Sequence, residues 1–224
     1  MQLQKLAAIG DWLSDLPNDR LNELLPIDML NKLPNDLLLN ILERVDTLDA
    51  VRTSILSKQI QKLPTMLPQI VIAPSNHELG PMNRVLADVI NKIFSTRPPQ
   101  IAARKLKVRF ALIPNDCRSI GKSVGLAMAT QKLDAAEFEI VTLKNSSNCT
   151  HADLLNYAQQ FSMFVADCPD AFAGLTQLHL RNLRFGESDI PNILSTCKQL
   201  ESLSFFECDA GISVGAACRT CRTR

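Results

Sequence analysis

Residues 33–63 read LPNDLLLNILERVDTLDAVRTSILSKQIQKL, and their reading decides the first part of the fold. Pro34 suits the first turn of a helix, where its missing N–H is not needed, and Asp36 complements the positive end of the helix dipole. From there Leu37, Leu38, Ile41, Leu42 and Val45 recur at the 3.6-residue period as one apolar stripe, while Leu39 lies off it. Asp46 or Thr47 can cap a second helix carrying Leu48, Val51, Ile55 and Leu56. Ser57 can cap a third, which runs to Leu63 and stops at Pro64. Three short helices with apolar residues on more than one side cannot hide all of that surface among themselves. The expectation is a small all-α module whose remaining apolar face is covered from outside.

This run resembles the plant type of F-box, in which LP-D-LL-x-x-IL is followed by DAVRTS-x-LSK. The matching residues are Leu33, Pro34, Asp36, Leu37, Leu38, Ile41 and Leu42, then Asp49, Ala50, Val51, Arg52, Thr53, Ser54, Leu56, Ser57 and Lys58. The resemblance implies docking on a Skp-type adaptor, and through it on a cullin scaffold, by Leu33, Pro34, Leu37, Leu38, Ile41, Leu42, Leu56, Ser57 and Ile60. Where the family continues with Arg-Trp and a second Trp four residues later, this chain has Gln59, Ile60 and Pro64. An aromatic anchor at an interface centre carries about 2 kcal/mol or more, so Ile60 lowers the expected adaptor affinity by an order of magnitude or more.

Upstream, Leu13, Leu16, Pro17, Asn18, Asp19, Leu21, Leu24 and Leu25 echo Leu30, Leu33, Pro34, Asn35, Asp36, Leu38, Ile41 and Leu42 at a fixed offset. The first helix is written twice, either as a spare amphipathic helix or as a regulatory copy of the adaptor-binding one. The formal net charge is +1, so no global field draws the chain to nucleic acid or an anionic membrane. Seven cysteines stand at irregular positions, and the opening MQLQKLAAIGDWL has too short an apolar stretch for a secretory signal. No run of 18 apolar residues occurs, and the expected location is cytoplasmic and/or nuclear. The expected organisation is an N-terminal helix in 1–26, the F-box in 27–70, a linker and capping helix in 71–100, repeats in 101–210 and an irregular tail in 211–224.

After the connection LPQIVIAPSNHELGP, the residues Met82, Val85, Leu86, Val89, Ile90, Ile93 and Phe94 repeat at helical spacing until Arg97, Pro98 and Pro99 end the helix. Such a helix is expected to cap the first edge of a repeat array. The clearest repeat sets Leu175, Leu178, Leu180 and Leu183 against Leu200, Leu203, Phe205 and Cys208 at an offset of 25 residues, within the leucine-rich repeat range. Weaker copies run through Ala103, Leu106, Val108 and Ala111, then Ala135, Phe138, Ile140 and Leu143, with helical stretches at 118–132 and 153–165. The fold class expected is α+β: the small all-α module, then an irregular leucine-rich-repeat (βα) solenoid with a parallel sheet. The phrase TCKQLESLSFFECDAG, residues 196–211, is similar to the TCK-x-LE-x-L-x-L-x-x-CD-x-G of plant proteins that join an F-box to such repeats. The tail ISVGAACRTCRTR lacks the apolar periodicity of a cap, so a shortened product, less stable than longer relatives, is expected.

In proteins of that family the target usually meets the strand surface, so the outward residues are the candidates. They are Lys107 and Arg109, Glu139 and Val141, His179 and Arg181, and Ser204 and Phe206. Phe206 stands apart, because a large apolar side chain facing outward on the last strand anchors a partner or is covered by further chain. Lys105, Lys107, Arg109, Arg118 and Lys122 make one stretch locally basic, yet no aromatics interleave and no nucleic-acid module is recognisable.

Several chemical motifs fail on spacing. Gly121, Lys122 and Ser123 spell the end of a phosphate loop, but Asp116 stands where its first glycine belongs. Cys218 and Cys221 form one C-x-x-C without a second ligand pair, and His77, His151 and His179 share no ligand spacing. Neither a metal nor a cofactor is expected, nor a catalytic residue. The reading is a non-catalytic substrate receptor of an SCF-type (Skp-cullin-F-box) ubiquitin ligase, with an unidentified protein target and neither nucleic acid nor membrane as partner. The alternative is an interaction module whose F-box no longer recruits a ligase.

Overall fold

Ile70 and Ile72 are buried while Gln69 and Val71 are not, and this alternation makes Gln69–Ile72 a strand, β1. The computed structural model describes residues 33–42, 66–98, 100–209 and 221–222. The chain divides into two compact units, Met1–Leu67 and Pro68–Arg224. In the first unit, helix α1 covers Asn35–Leu42, and the Pro34 carbonyl accepts from the N–H groups of Leu37 and Leu38, both at 3.1 Å. The helices expected over 46–63, the echoing helix in 1–26 and most of the tail lie outside the described residues.

In the second unit β1 is followed by α2 (Leu79–Thr96), β2 (Lys105–Ala111), α3 (Pro114–Ala129) and β3 (Ala136–Val141). A short 3-10 turn, Ser146–Asn148, leads into α4 (His151–Asp167) and α5 (Pro169–Ala173). Then come β4 (Leu175–Arg181), α6 (Asp189–Thr196), β5 (Ser202–Phe206) and β6 (Cys221–Arg222). The result is a mixed α and β unit. Strands β1 to β5 are parallel and lie side by side in sequence order, and β6 adds antiparallel to β5. Helix α2 packs on α3 and β2, α3 on α4 and α5, and α6 on α4 and α5.

Three expectations need correction. The connection after Leu67 contains a strand, because Ile70 and Ile72 have a core to fill between Pro68 and Pro74. The helix read as an edge cap is therefore the crossover from β1 to β2. Val108, not Leu106, stands beside Phe138, so the first repeat pair sits two residues from the register read in the sequence. A slip of two leaves every side chain on its expected face, which is why periodicity alone does not detect it. The tail, read as irregular, contributes Cys221–Arg222 as a sixth strand beside Ser202 and Leu203.

Phenylalanines carry the core from strand to strand. Phe110 meets Phe138 edge-on at 5.3 Å, Phe138 meets Phe172 at 5.8 Å, and Phe172 meets Phe161 at 5.9 Å. Phe161 passes the chain of rings to Phe185 at 6.4 Å, and Phe185 to Phe205 at 5.3 Å. Each edge-to-face pair adds about 0.5–1.5 kcal/mol to the area it buries. One packed line thus joins β2 to β5 through α4 and α5.

Glycine and asparagine complete the packing. A methyl group at Gly121 would come 2.7 Å from both Cys168 Sγ and a Phe164 ring carbon, so this glycine is where α3 meets the turn into α5. That role accounts for a residue that only imitates a phosphate loop. Strand β1 ends at Ile72, opposite Val108, and leaves the end of β2 without a strand on that side. Asn83, 2% exposed on α2, takes its place: its Nδ2 donates to the Ala111 carbonyl at 2.8 Å and its Oδ1 accepts from the Ala111 N–H at 2.8 Å.

At the start of α4, Thr150 Oγ1 accepts from the Asp153 N–H while Asp153 Oδ2 accepts from the Thr150 N–H, a reciprocal capping box. With Lys144 Nζ donating at 2.8 Å, these bonds hold the Asp153 carboxyl at about 2, so the cap keeps its charge except in strong acid. Helix α3 ends with Gln131 at φ 55°, its N–H donating to Met128 O while that of Lys132 donates to Ala127 O, a paired C-terminal cap usually built on glycine.

Two stability predictions follow from these devices. Replacing Asn83 by Ala strands the buried Ala111 N–H, while the Ala111 carbonyl keeps the Ile113 N–H at 2.9 Å, and denaturant melts of Asn83→Ala should show a loss of about 2 kcal/mol. Gln131→Gly removes the left-handed penalty on a side chain and should raise stability by about 1 kcal/mol in the same assay.

Candidate functional site

Two surfaces carry the residues singled out in the sequence. On α1, Leu38 is buried, Leu37 and Ile41 are half-buried, and Pro34 is exposed at the start, with Leu33 half-buried before it. Leu42 ends the helix. The apolar stripe is thus divided: Leu38 is enclosed, and the turn around it keeps accessible apolar surface. Leu56, Ser57 and Ile60 lie outside the described residues.

The second surface is the outward face of the parallel sheet. Register places Arg109, Glu139, His179 and Ser204 abreast in one row across four strands. The row behind it holds Lys107, Glu137, Gln177 and Ser202, and ahead of it Arg181 stands beside Phe206. Lys107, Glu139, His179, Arg181, Ser204 and Phe206 surround one shallow groove of about 430 Å3. Val141 lines it too, but at 5% exposure it is part of the wall, because β3 is covered more closely there than the alternation implied. Ile140, Leu180 and Phe205 complete the lining.

Most cations on this face are committed. Arg109 Nε donates to Glu139 at 2.9 Å, its Nη1 to the Pro74 carbonyl at 2.6 Å and its Nη2 to Asn76 Oδ1. It staples the β1–α2 loop to β3 and does not line the groove. Lys105 pairs at 2.7 Å with the buried Glu137. Arg181 pairs at 2.9 Å with Glu207, and its guanidinium lies 4.7 Å from the centre of the Phe206 ring. Such a cation–π contact at a partly exposed site stabilises by about 0.5–1 kcal/mol. The Glu207 carboxyl is held below its usual range, first by a hydrogen bond from the Ser146 side chain and then by Arg181. Phe206 nevertheless remains 51% exposed. Of the nine phenylalanines in the chain, seven are buried, Phe205 is half-buried, and Phe206 is exposed.

Sequence reasoning missed Glu137, Pro74, Asn76 and Glu207, and took Lys105 only as part of a basic stretch. Glu137 and Lys105 were reachable by extending the outward alternation by one residue pair. Pro74 and Asn76 were not, since their part depends on β1 bringing its following loop beside β2. Glu207 carried a usable signal: it lies at the repeat offset from Asn182, and both adopt the left-handed conformation, at φ 54° and 58°.

Residues 13–68 match the family model of the F-box domain. The chain is 29% identical over 187 residues to an FBD-associated F-box protein of Arabidopsis thaliana, covering 80% of this chain and 44% of that protein. It is 30% identical over 189 residues to a putative F-box/FBD/LRR-repeat protein of the same plant, covering 79% and 42% respectively. An F-box/LRR-repeat protein of that plant is 26% identical over 187 residues, covering 79% of this chain and 58% of its own length. The chain thus spans about half the length of the curated relatives it matches. No solved structure matches it. Residues 13–68 thus match the F-box domain, and similarity to F-box/FBD/LRR-repeat proteins of Arabidopsis thaliana runs along about four-fifths of the chain.

Proposed function

We propose that the chain is the substrate-recognition subunit of an SCF-type ubiquitin ligase, with its F-box on a Skp-type adaptor and its sheet face on a target protein. The F-box match over residues 13–68 is the observation that carries this reading. The accessible apolar surface at Leu33, Pro34, Leu37 and Ile41 supports it, because a helix that buries only part of its stripe suits a partner supplied from outside. Leu42, Leu56, Ser57 and Ile60 complete the proposed docking set.

The second unit is read as irregular leucine-rich repeats. Its strands add in sequence order, and the Leu178–Leu203 register reproduces the 25-residue offset between the two clearest copies. On this reading each β–α step is one repeat, and Lys107, Glu139, His179, Arg181, Ser204 and Phe206 form the target face, with Arg109 shaping it. The chain contributes no chemistry of its own. It raises the effective concentration of a target lysine beside a charged enzyme held elsewhere in the complex. The protein acts where the ligase acts, in the cytoplasm and/or nucleus.

Ile60 and Pro64, in place of the family's tryptophans, favour a second reading in which the F-box has lost its adaptor and the chain is a plain interaction module. Co-expression with a Skp-type adaptor separates the two. The full chain should co-purify with the adaptor, and Ile60→Trp should tighten that complex about tenfold, the equivalent of about 1.4 kcal/mol. A chain that is folded by circular dichroism yet captures no adaptor at micromolar concentration selects the second reading.

A further inference from the structure

The charges of the sheet face do not balance at one position. Among the described residues, Lys105 is matched by Glu137, Arg109 by Glu139 and Arg181 by Glu207, whereas no ion pair or hydrogen bond engages the Lys107 ammonium or the His179 ring. Both line the groove. At its other end lies Phe206, one side of its ring taken by Arg181 and the rest open. The groove therefore offers one uncompensated cation and one apolar platform, separated by a polar floor of Glu139, His179 and Ser204.

The geometry points to a ligand class: an extended peptide segment that sets a carboxylate side chain on Lys107 and an apolar or aromatic side chain on Phe206. This inference rests on the sheet face being the target surface. Lys107 and Phe206 lie three strands apart and about four residues apart along the strand direction, so their backbones are on the order of 20 Å apart. An extended chain covers that in about six residues, fewer when the long lysine side chain reaches inward. The expected motif has its acid and its apolar residue about four to six positions apart. With Glu137, Glu139 and Glu207 neutralising Lys105, Arg109 and Arg181, the face keeps one net positive charge, which suits a single carboxylate and gives the successive phosphates of a nucleic-acid strand no row of cations to follow.

The test pans a phage-displayed library of random twelve-residue peptides on the full chain and measures the enriched peptides by fluorescence anisotropy. Enriched sequences should share an Asp or Glu at that spacing from an aromatic or leucine. Their affinity should fall at least tenfold for Lys107→Glu and for Phe206→Ser, and hold for Lys107→Arg. Lysine in place of the peptide's acid should restore binding to Lys107→Glu. Both positions are solvent-accessible, and an unchanged melting temperature verifies that each variant folds. Peptides that depend on Phe206 but carry no acid overturn the ligand class and leave the target face standing. Peptides indifferent to both substitutions, or no enrichment at all, overturn both. So would a dimer in light scattering that Phe206→Ser dissolves, or tighter binding of a single-stranded RNA oligomer than of any enriched peptide.

Discussion

The structure depends on a line of phenylalanine rings that lets strands of unequal repeat length share one core. Between β2 and β3 the chain makes one helical crossover, between β3 and β4 it inserts α4 and α5, and between β4 and β5 it uses the short α6. Segments of such different length supply no common backbone spacing. The rings do: Phe110, Phe138 and Phe205 come from strands, Phe161 and Phe172 from the longer crossover, and Phe185 from the turn after β4. Aromatic pairs are favourable over a range of centre distances and tilts, so the rings can meet although the segments that carry them differ in length.

Burying one face this way determines the other. In a parallel pair, each residue that enters the core sends its chain neighbours outward, so Phe138, Leu178 and Leu203 in register bring Glu139, His179 and Ser204 into register as well. The candidate face is then a consequence of the core rather than a separate feature, which is why most of it was legible in the sequence. Apolar alternation identified Lys107, Glu139, His179, Arg181, Ser204 and Phe206 without knowledge of which strand met which. The two-residue slip between β2 and β3 altered who stands beside whom: Arg109 meets Glu139, and Lys107 meets Glu137. Electrostatics, unlike burial, is sensitive to that slip.

What the sequence did not disclose has a common cause. Strand β1 is four residues long with a proline on either side, and a window of that size carries no periodicity to distinguish strand from connection. Without it, Asn83 reads as one polar residue in a helical stripe, although its amide completes the backbone pairing that β1 is too short to supply. Without it, Arg109 also reads as an exposed cation. The motif in the first unit was legible for the opposite reason, because α1 lies in a phrase whose caps and stripe agree along its length. Even there, periodicity could not say that Leu38 is enclosed while Leu37 and Ile41 keep surface.

Left-handed residues follow both β4 and β5. Asn182 and Glu207 occupy corresponding positions, and each turns the chain sharply where its strand ends. Asparagine suits that conformation, and the buried Asn182 also donates to Thr142 Oγ1 at 2.8 Å, tying β4 back to the end of β3. Glutamate suits it poorly, by about 1 kcal/mol or more. Glu207 gains something in that position that asparagine would lose: a carboxylate long enough to reach Arg181, whose guanidinium then lies over Phe206. The strained turn therefore sits where the groove's aromatic platform is positioned. At the corresponding turn one strand earlier, the residue serves packing instead. The two copies of the repeat share this left-handed turn and differ in what its side chain does: Asn182 ties β4 to the end of β3, and Glu207 holds Arg181 beside Phe206.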